Sequence, residues 1–158
     1  MATKHREMQH LILEWKKSTG NLEIDMHEVA SFAVQKGWPL PKPISALDRL
    51  AKDFSQAARE ETRTDSKTGR PYRVYHAFIP DGKSSQGMLW MDIDEAPRKN
   101  MVKSAVMRRE QVVGDMVQLF LDLEHWNTKN PNEEPIVLIT DVTEDVSERL
   151  AGPDSMAA

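Results

Sequence analysis

The chain has 158 residues, 39% of them hydrophobic and 29% charged, and a formal net charge of -4, which is typical of a soluble globular domain. Its length is enough for one ordinary domain, or for a small domain with a helical appendage. It lacks cysteine, the roughly 20 apolar residues that span a bilayer and the apolar core of a secretion signal, so we expect a cytoplasmic protein without disulfides.

Two helices are predicted near the N-terminus. Apolar residues recur at helical spacing over residues 4–18, and the sequence STGN ends this first helix. The next segment, NLEID, alternates apolar and polar residues, which predicts a brief strand. Asp25 then caps a second helix, Glu28 completes a capping-box pattern, and Gly37 ends the helix.

A third helix is predicted from about Pro43 to about Glu60, after the proline-rich turn WPLPKP. Its apolar stripe, which we expect to be buried, consists of Leu47, Leu50, Ala51, Phe54 and Ala58. A rotation of about 100° per residue places a polar, partly basic set on the opposite face. This set is Ser45, Arg49, Lys52 and Gln56.

Short β-strands are predicted between residues 62 and 93. Residues 62–64 and 70–79 flank the turn DSKTG, and the turn PDGKSSQG leads to a strand over residues 88–93. The first turn and its flanks carry Arg63, Lys67, Arg70 and Arg73. In the stretch 64–78 the one acidic residue is Asp65, so this hairpin is basic although the chain is acidic.

The order helix, short strand, helix, helix, hairpin, together with the basic hairpin TRTDSKTGRPYRV, resembles the winged helix-turn-helix DNA-binding proteins over about residues 5–95. The resemblance implies an α+β fold, with a winged-helix domain over residues 1–95 and the hairpin as its wing. The turn WPLPKP departs from this family, whose corresponding turn is usually short and not rich in proline.

The resemblance also implies a set of contacts with double-stranded DNA. Helix three would place Ser45, Arg49, Lys52 and Gln56 against base edges or phosphates of the major groove. The wing would place Arg63, Lys67, Arg70 and Arg73 against the phosphate backbone. In the alternative interpretation these residues are ordinary solvated charges on a surface hairpin and helix.

A long fourth helix is predicted from about Pro97 to Trp126, within a segment 96–130. Its apolar residues cover close to half of its circumference, which is wider than packing on one domain requires. We therefore expect a homodimer, and Arg109 within the apolar arc fits an interfacial ion pair. The expected interface consists of Val102, Val106, Arg109, Val113, Met116, Phe120 and Leu123. The run from DIDEAPR to HWN also resembles uncharacterised bacterial proteins, which implies no function.

The C-terminal segment is acidic. Residues 131–150 are expected to form a strand over Pro135–Ile139 and a short helix from Thr143 to Leu150, which pack on the core or on a partner, and residues 151–158 a disordered tail. From residue 133 onwards there are seven acids and one base. Because the whole chain carries -4 and this segment -6, residues 1–132 carry +2, which is compatible with a polyanionic partner. The acidic segment is either a solvated terminus or a competitor that folds over a basic surface.

No catalytic or metal site is predicted. The five histidines lack metal-ligand spacing, and there is no nucleophile elbow or glycine-rich phosphate loop. Asp92 and Asp94 have the spacing of an acid/base pair, but they also mark a strand end before a proline. We expect no enzyme, no cofactor and no identifiable small-molecule ligand.

Two functions remain in competition at this stage. The first is a sequence-specific DNA-binding protein, a dimeric bacterial transcriptional regulator. The alternative is a protein-protein interaction module on the same scaffold, which does not bind DNA. The first is the leading hypothesis, and the low cationic charge and the mixed signs on helix three keep the alternative open.

Overall fold

The computed structural model describes residues 3–81 and 88–152, and this part of the chain has an α+β fold. Its helices are α1 (Lys4–Thr19), α2 (Met26–Gln35), α3 (Ala46–Glu60), α4 (Arg98–Lys129) and α5 (Thr143–Ala151). Its strands are β1 (Thr62–Thr64), β2 (Pro71–Arg73), β3 (Tyr75–Phe78) and β4 (Leu89–Asp92). The predicted α+β class is confirmed, as are the three N-terminal helices, the hairpin, the long fourth helix and the short fifth helix.

The chain divides after Lys52 into two compact units. The first unit is residues 1–52 and the second unit is residues 53–158, so α3 begins in one and ends in the other. The domain boundaries expected from the sequence, at residues 95 and 130, stay predictions.

The first unit is organised by the packing of α1 on α2. Trp15 of α1 is 4% exposed, and Val29 and Ala33 of α2 are buried with it. The Nζ atom of Lys36 lies 2.8 Å from Oε1 of Glu14 and connects the ends of the two helices at the surface. Apolar burial therefore holds this unit together, because an exposed ion pair of this kind contributes little.

The predicted strand NLEID is not formed. Asp25 caps α2 as expected, with its Oδ1 accepting a hydrogen bond of 2.8 Å from the backbone N–H of His27. The residues before it are irregular, and Leu22 is 90% exposed. Alternation alone was misleading here, because a strand needs a neighbouring strand to bond to and NLEID has none within the described residues.

Most of the apolar stripe of α3 is exposed, contrary to the prediction, whereas Ala58 at its C-terminal end is half-buried. Leu47, Leu50 and Phe54 are 77%, 51% and 65% exposed. The sequence pattern correctly predicts an amphipathic helix. Burial, however, requires another surface to cover the apolar face, and periodicity carries no information about that surface.

The second unit contains two antiparallel strand pairs that share one stretch of chain. β2 pairs with β1, and β3 pairs with β4. Between β2 and β3, the fully buried Val74 donates its N–H to the carbonyl of Glu61 at 3.1 Å and accepts at 2.8 Å from the N–H of Ile93. The chain therefore changes pairing partner at Val74 without interrupting its backbone hydrogen bonding.

Helix α4 packs on β3 with one face and is free on the other. Ser104 is fully buried. Val113 follows nine positions later, or two and a half helical turns, and therefore lies on the opposite face, where it is 40% exposed. Although α4 has 32 residues, neither it nor any other described helix combines the length and the apolar composition that a bilayer crossing requires.

The segment Pro135–Ile139 is irregular, where the sequence predicts a strand. The side chain of Asn127 takes the place of a partner strand: its Nδ2 donates to the carbonyl of Ile136, and its Oδ1 accepts from the N–H of Ile136, both at 2.9 Å. Most of the predicted turn PDGKSSQG, at residues 82–87, and most of the predicted tail, at residues 153–158, lie outside the described residues.

We predict that Val74→Ala destabilises the protein by about 2 kcal/mol, since it removes two buried methyl groups and leaves a cavity. Equilibrium unfolding in urea, followed by circular dichroism, measures this change. Val137→Ala is the matched control, because Val137 is 78% exposed, and its effect should stay within about 0.5 kcal/mol. Equal effects of the two substitutions would show that burial of Val74 contributes no more to the free energy of unfolding than the exposed Val137 does.

Candidate nucleic-acid interface

The loop between β1 and β2 is ordered by its own acidic residue. Oδ1 of Asp65 accepts hydrogen bonds from the backbone N–H groups of Lys67 and Thr68, each at 2.8 Å. These two hydrogen bonds hold the pKa of Asp65 below its ordinary value, and the bond from Thr68 has the larger effect. Gly69, with a φ of 67°, supplies the left-handed position of the loop. The carboxylate of Asp65 thus serves the backbone of the loop and forms no ion pair with a described cation.

The register of the hairpin separates its two strand arginines. Arg63 lies opposite Tyr72, whereas Arg73 lies opposite Thr62. Side chains of directly opposed residues share a face, and neighbouring positions along a strand alternate. Arg63 and Arg73, expected from the sequence to act together on one backbone, therefore lie on opposite faces of the hairpin.

The face with Arg63 carries a compensated charge cluster. The guanidinium of Arg63 lies 3.0 Å from Oδ2 of Asp92 and 2.8 Å from Oδ2 of Asp94. The hydroxyl of Tyr72 donates to the same Asp94 oxygen at 2.9 Å, which raises the pKa of Tyr72, while Asp94 and Asp92 raise the pKa of Arg63. The spacing of Asp92 and Asp94 is therefore explained by structural contacts with Arg63 and Tyr72.

The loop itself presents Lys67 and Arg70. Nη2 of Arg70 donates to the carbonyl of Leu150 near the end of α5, at 3.2 Å, which fits a cation at a helix C-terminus. The side chain of Lys67 is exposed and forms no ion pair or hydrogen bond within the described residues. The acidic C-terminal helix thus touches the basic loop through a backbone carbonyl.

The predicted residues of α3 fall into two groups. Ser45 serves the helix start, since its Oγ accepts from the N–H of Asp48 at 3.1 Å and donates to the Asp48 carboxylate at 2.7 Å. Gln56 donates to Oε1 of Glu60 at 2.6 Å. Arg49 and Lys52 are exposed, and their side chains form no ion pair or hydrogen bond within the described part of the chain.

Two cations near Arg73 were missed from the sequence. Arg73 lines a surface cavity of the second unit together with Arg59, from the end of α3, and Arg108, from α4. Arg59 and Arg108 are 49 positions apart in the chain, so no spacing rule connects them. Arg108, to which no role was assigned from the sequence, was the one signal.

The residues of the expected dimer interface share the free face of α4. Val102, Val106, Val113 and Phe120 are between 40% and 54% exposed, and the side chain of Arg109 is 74% exposed. Met116 and Leu123 on the same face are half-buried.

No protein-family model, curated protein or solved structure matches this chain. Among the described residues there is also no group of three histidine, aspartate or glutamate side chains able to hold a metal ion. The function proposed below therefore depends on the residues and the geometry of this chain alone.

We predict that Asp94→Asn lowers the pKa of Tyr72 towards the ordinary value of about 10, because the charged acceptor that stabilises the phenol is removed. The folded-state pKa of Tyr72 is the raised one. The stability from this hydrogen bond is therefore fully present below pH 10 and is lost as the pH rises through the folded pKa. Ultraviolet titration in a Tyr75→Phe background isolates Tyr72, since the chain has two tyrosines. An identical titration curve with and without Asp94 would contradict the contact.

Proposed function

We propose that this chain binds double-stranded DNA as a homodimer, with the β1–β2 hairpin as a winged-helix-like wing against the phosphate backbone and α3 as the helix that reads the groove. The observation that carries the proposal is the ordered loop in which Asp65 is occupied by backbone N–H groups, while Lys67 projects without an acidic partner among the described residues. A fixed loop presents its cations to phosphates with less loss of conformational entropy on binding.

The binding surface differs from the one predicted by sequence. Lys67, Arg70 and Arg73 remain the wing cations, whereas Arg63 is neutralised by Asp92 and Asp94 and is assigned a structural role. On α3, Arg49 and Lys52 are the candidates for contacts with DNA, and Ser45 and Gln56 are occupied by Asp48 and Glu60. Such a protein would act as a bacterial transcriptional regulator in the cytoplasm.

We expect the double substitution Lys67→Ala and Arg70→Ala to weaken binding to a duplex of about 30 base pairs and to reduce the salt dependence by up to about two units, one for each lost phosphate contact. Fluorescence anisotropy at several salt concentrations measures both quantities. The matched control, Lys4→Ala with Arg6→Ala, removes two exposed cations of α1. It should leave the contribution of the hairpin cations to DNA affinity and to its salt dependence unchanged. If the wild type does not bind near 50 mM salt, the DNA proposal is wrong.

The exposed face of α4 supports the proposed dimer. A two-fold interface is formed by the same patch of both copies, so residues must pair reciprocally. In an antiparallel arrangement centred on position 111, Val102 lies opposite Phe120, Val106 opposite Met116, and Arg109 opposite Val113. Six of the seven predicted interface residues thus pair with one another, and Leu123 lies opposite Lys99.

Charges along α4 favour the same arrangement. The N-terminal half of the helix carries Arg98, Lys99, Lys103, Arg108 and Arg109 with one acid, Glu110, and the C-terminal half carries Asp115, Asp122 and Glu124 with one base, Lys129. Antiparallel packing brings the basic half of one helix against the acidic half of the other, and Arg98 then lies opposite Glu124. Parallel packing would place like charges together.

We predict that Arg98→Glu raises the dimer dissociation constant roughly tenfold, because two ion pairs of about 0.2 to 1 kcal/mol each become repulsions. The double variant with Glu124→Arg should return close to the wild-type value. Sedimentation equilibrium measures the dissociation constant of the wild type, of each single variant and of the double variant, which together form a double-mutant cycle. A monomeric wild type would overturn the dimer, and no recovery in the double variant would overturn the antiparallel register.

A second candidate function is supported by the exposed face of α3. Leu47, Leu50 and Phe54 form an apolar surface unusual for a free helix, which fits a site for a partner protein. The anisotropy experiment separates the two candidates, since a protein-interaction module would bind no DNA at any salt concentration.

A further inference from the structure

A cavity of about 170 Å³ opens on the second unit beside Arg73. The ends of α3 and β2, the strands β3 and β4, and one face of α4 contribute its walls. Its polar lining includes Arg59, Arg73, His76, Ser104, Arg108 and Gln111. A water molecule occupies about 30 Å³ of liquid, so this space holds the equivalent of roughly six waters. It suits a small group such as one phosphate.

The side chains that line the cavity are cationic, and no acidic side chain of the described lining neutralises them. Three arginines, Arg59, Arg73 and Arg108, are among the lining residues, and no aspartate or glutamate is among the described ones. Arg63, on the other face of the hairpin, is paired with two aspartates, whereas the described ion pairs include neither Arg73 nor Arg108. Guanidinium groups carry donors alone, so a cavity lined in this way favours an anion with several acceptor oxygens.

Several contacts hold the lining in place. The guanidinium of Arg59 lies over the ring of Trp90, with 5.6 Å between its carbon and the ring centroid. Nε2 of His76 lies 2.9 Å from the carbonyl of Arg73 and donates to it, which fixes the imidazole against the strand. Arg59 and His76 are therefore positioned in the absence of any ligand.

The fully buried Ser104 provides an independent observation. Ser104 is one of the residues that line the cavity, and its hydroxyl has no hydrogen-bond partner in the described structure. A buried hydroxyl without a partner is costly and requires an explanation. Its one side-chain torsion allows the O–H to turn towards an oxygen held in the cavity.

We propose that this cavity binds a phosphate group, with Arg59, Arg73 and Arg108 pairing with its oxygens and Ser104 donating a hydrogen bond. The group is inorganic phosphate, the terminal phosphate of a phosphomonoester, or one phosphate of a DNA backbone. The site shares Arg73 with the DNA proposal but does not depend on it, since Arg59, Ser104 and Arg108 lie outside the β1–β2 loop.

The probe is inorganic phosphate, titrated into the full-length protein at constant ionic strength in chloride and followed by ¹H–¹⁵N NMR. We expect saturable shifts at the backbone of Ser104 and at the side chains of Arg108 and Gln111. Arg108→Ala should weaken phosphate binding about tenfold to a hundredfold, as expected for a lost charge-assisted hydrogen bond. Arg6→Ala, which removes an exposed arginine of the first unit, is the matched control and should leave the affinity unchanged.

The substitution Ser104→Ala tests whether Ser104 binds the phosphate or only packs in the core. We expect it to weaken phosphate binding while the unliganded protein unfolds at the same or a higher urea concentration, because a buried hydroxyl without a partner is removed. Absence of saturable shifts, or equal losses in Arg108→Ala and Arg6→Ala, would overturn the site. Unchanged affinity in Ser104→Ala would overturn the role of the hydroxyl.

The source of the phosphate is resolved by two further titrations, with a phosphomonoester and with duplex DNA, using Arg108→Ala and the loop variant Lys67→Ala with Arg70→Ala. Loss of affinity for DNA in both variants assigns the cavity to a backbone phosphate. Phosphate binding that persists in a protein unable to bind DNA assigns it to a free phosphate or monoester. The two proposals therefore fail separately.

Discussion

The second unit depends on the change of pairing partner at Val74. Its N–H and C=O groups bond to Glu61 and Ile93, so the same stretch of chain continues from the ladder with β1 into the ladder with β4. The Val74 side chain is fully buried at this junction. The backbone hydrogen bonds of Val74 and the burial of its side chain together fix the strand register. A slip by one residue would exchange the two faces of the hairpin.

This register determines what the cations of the hairpin do. On one face, Arg63 is drawn into contact with Asp92 and Asp94, which follow β4 or end it, and it cross-links the two strand pairs. On the other face, Arg73 meets Arg59 and Arg108 at the cavity, where no described carboxylate lines the wall. Two arginines of the same hairpin thus have different chemistry: one stabilises the fold and the other remains open to an anion.

Helix α4 links this unit to the proposed dimer. The face with Ser104 packs on β3 and closes the cavity, and the opposite face, half a turn around, carries the exposed valines and Phe120. A substitution that shifts the helix on the sheet would therefore act on the cavity and on the proposed interface together. Gly114, near the centre of that helix, costs about 1 kcal/mol relative to alanine.

The sequence by itself determined the local elements, because helix periodicity, caps such as Asp25 and turn residues such as Gly69 act within a few positions. The predictions from sequence failed where secondary structure depended on residues that are distant in the chain. NLEID and Pro135–Ile139 alternate or run apolar like strands, yet the first has no described partner strand and Asn127 takes the place of one for the second.

The candidate site divides in the same way. The basic loop was readable from DSKTGR, whereas the neutralisation of Arg63 by two aspartates about thirty positions away, and the meeting of Arg59 with Arg108, were decided by the tertiary structure. Charge in a sequence is a property of single residues. Whether that charge is compensated depends on which side chains the fold brings within a few ångströms, and that distance is absent from the order of the residues.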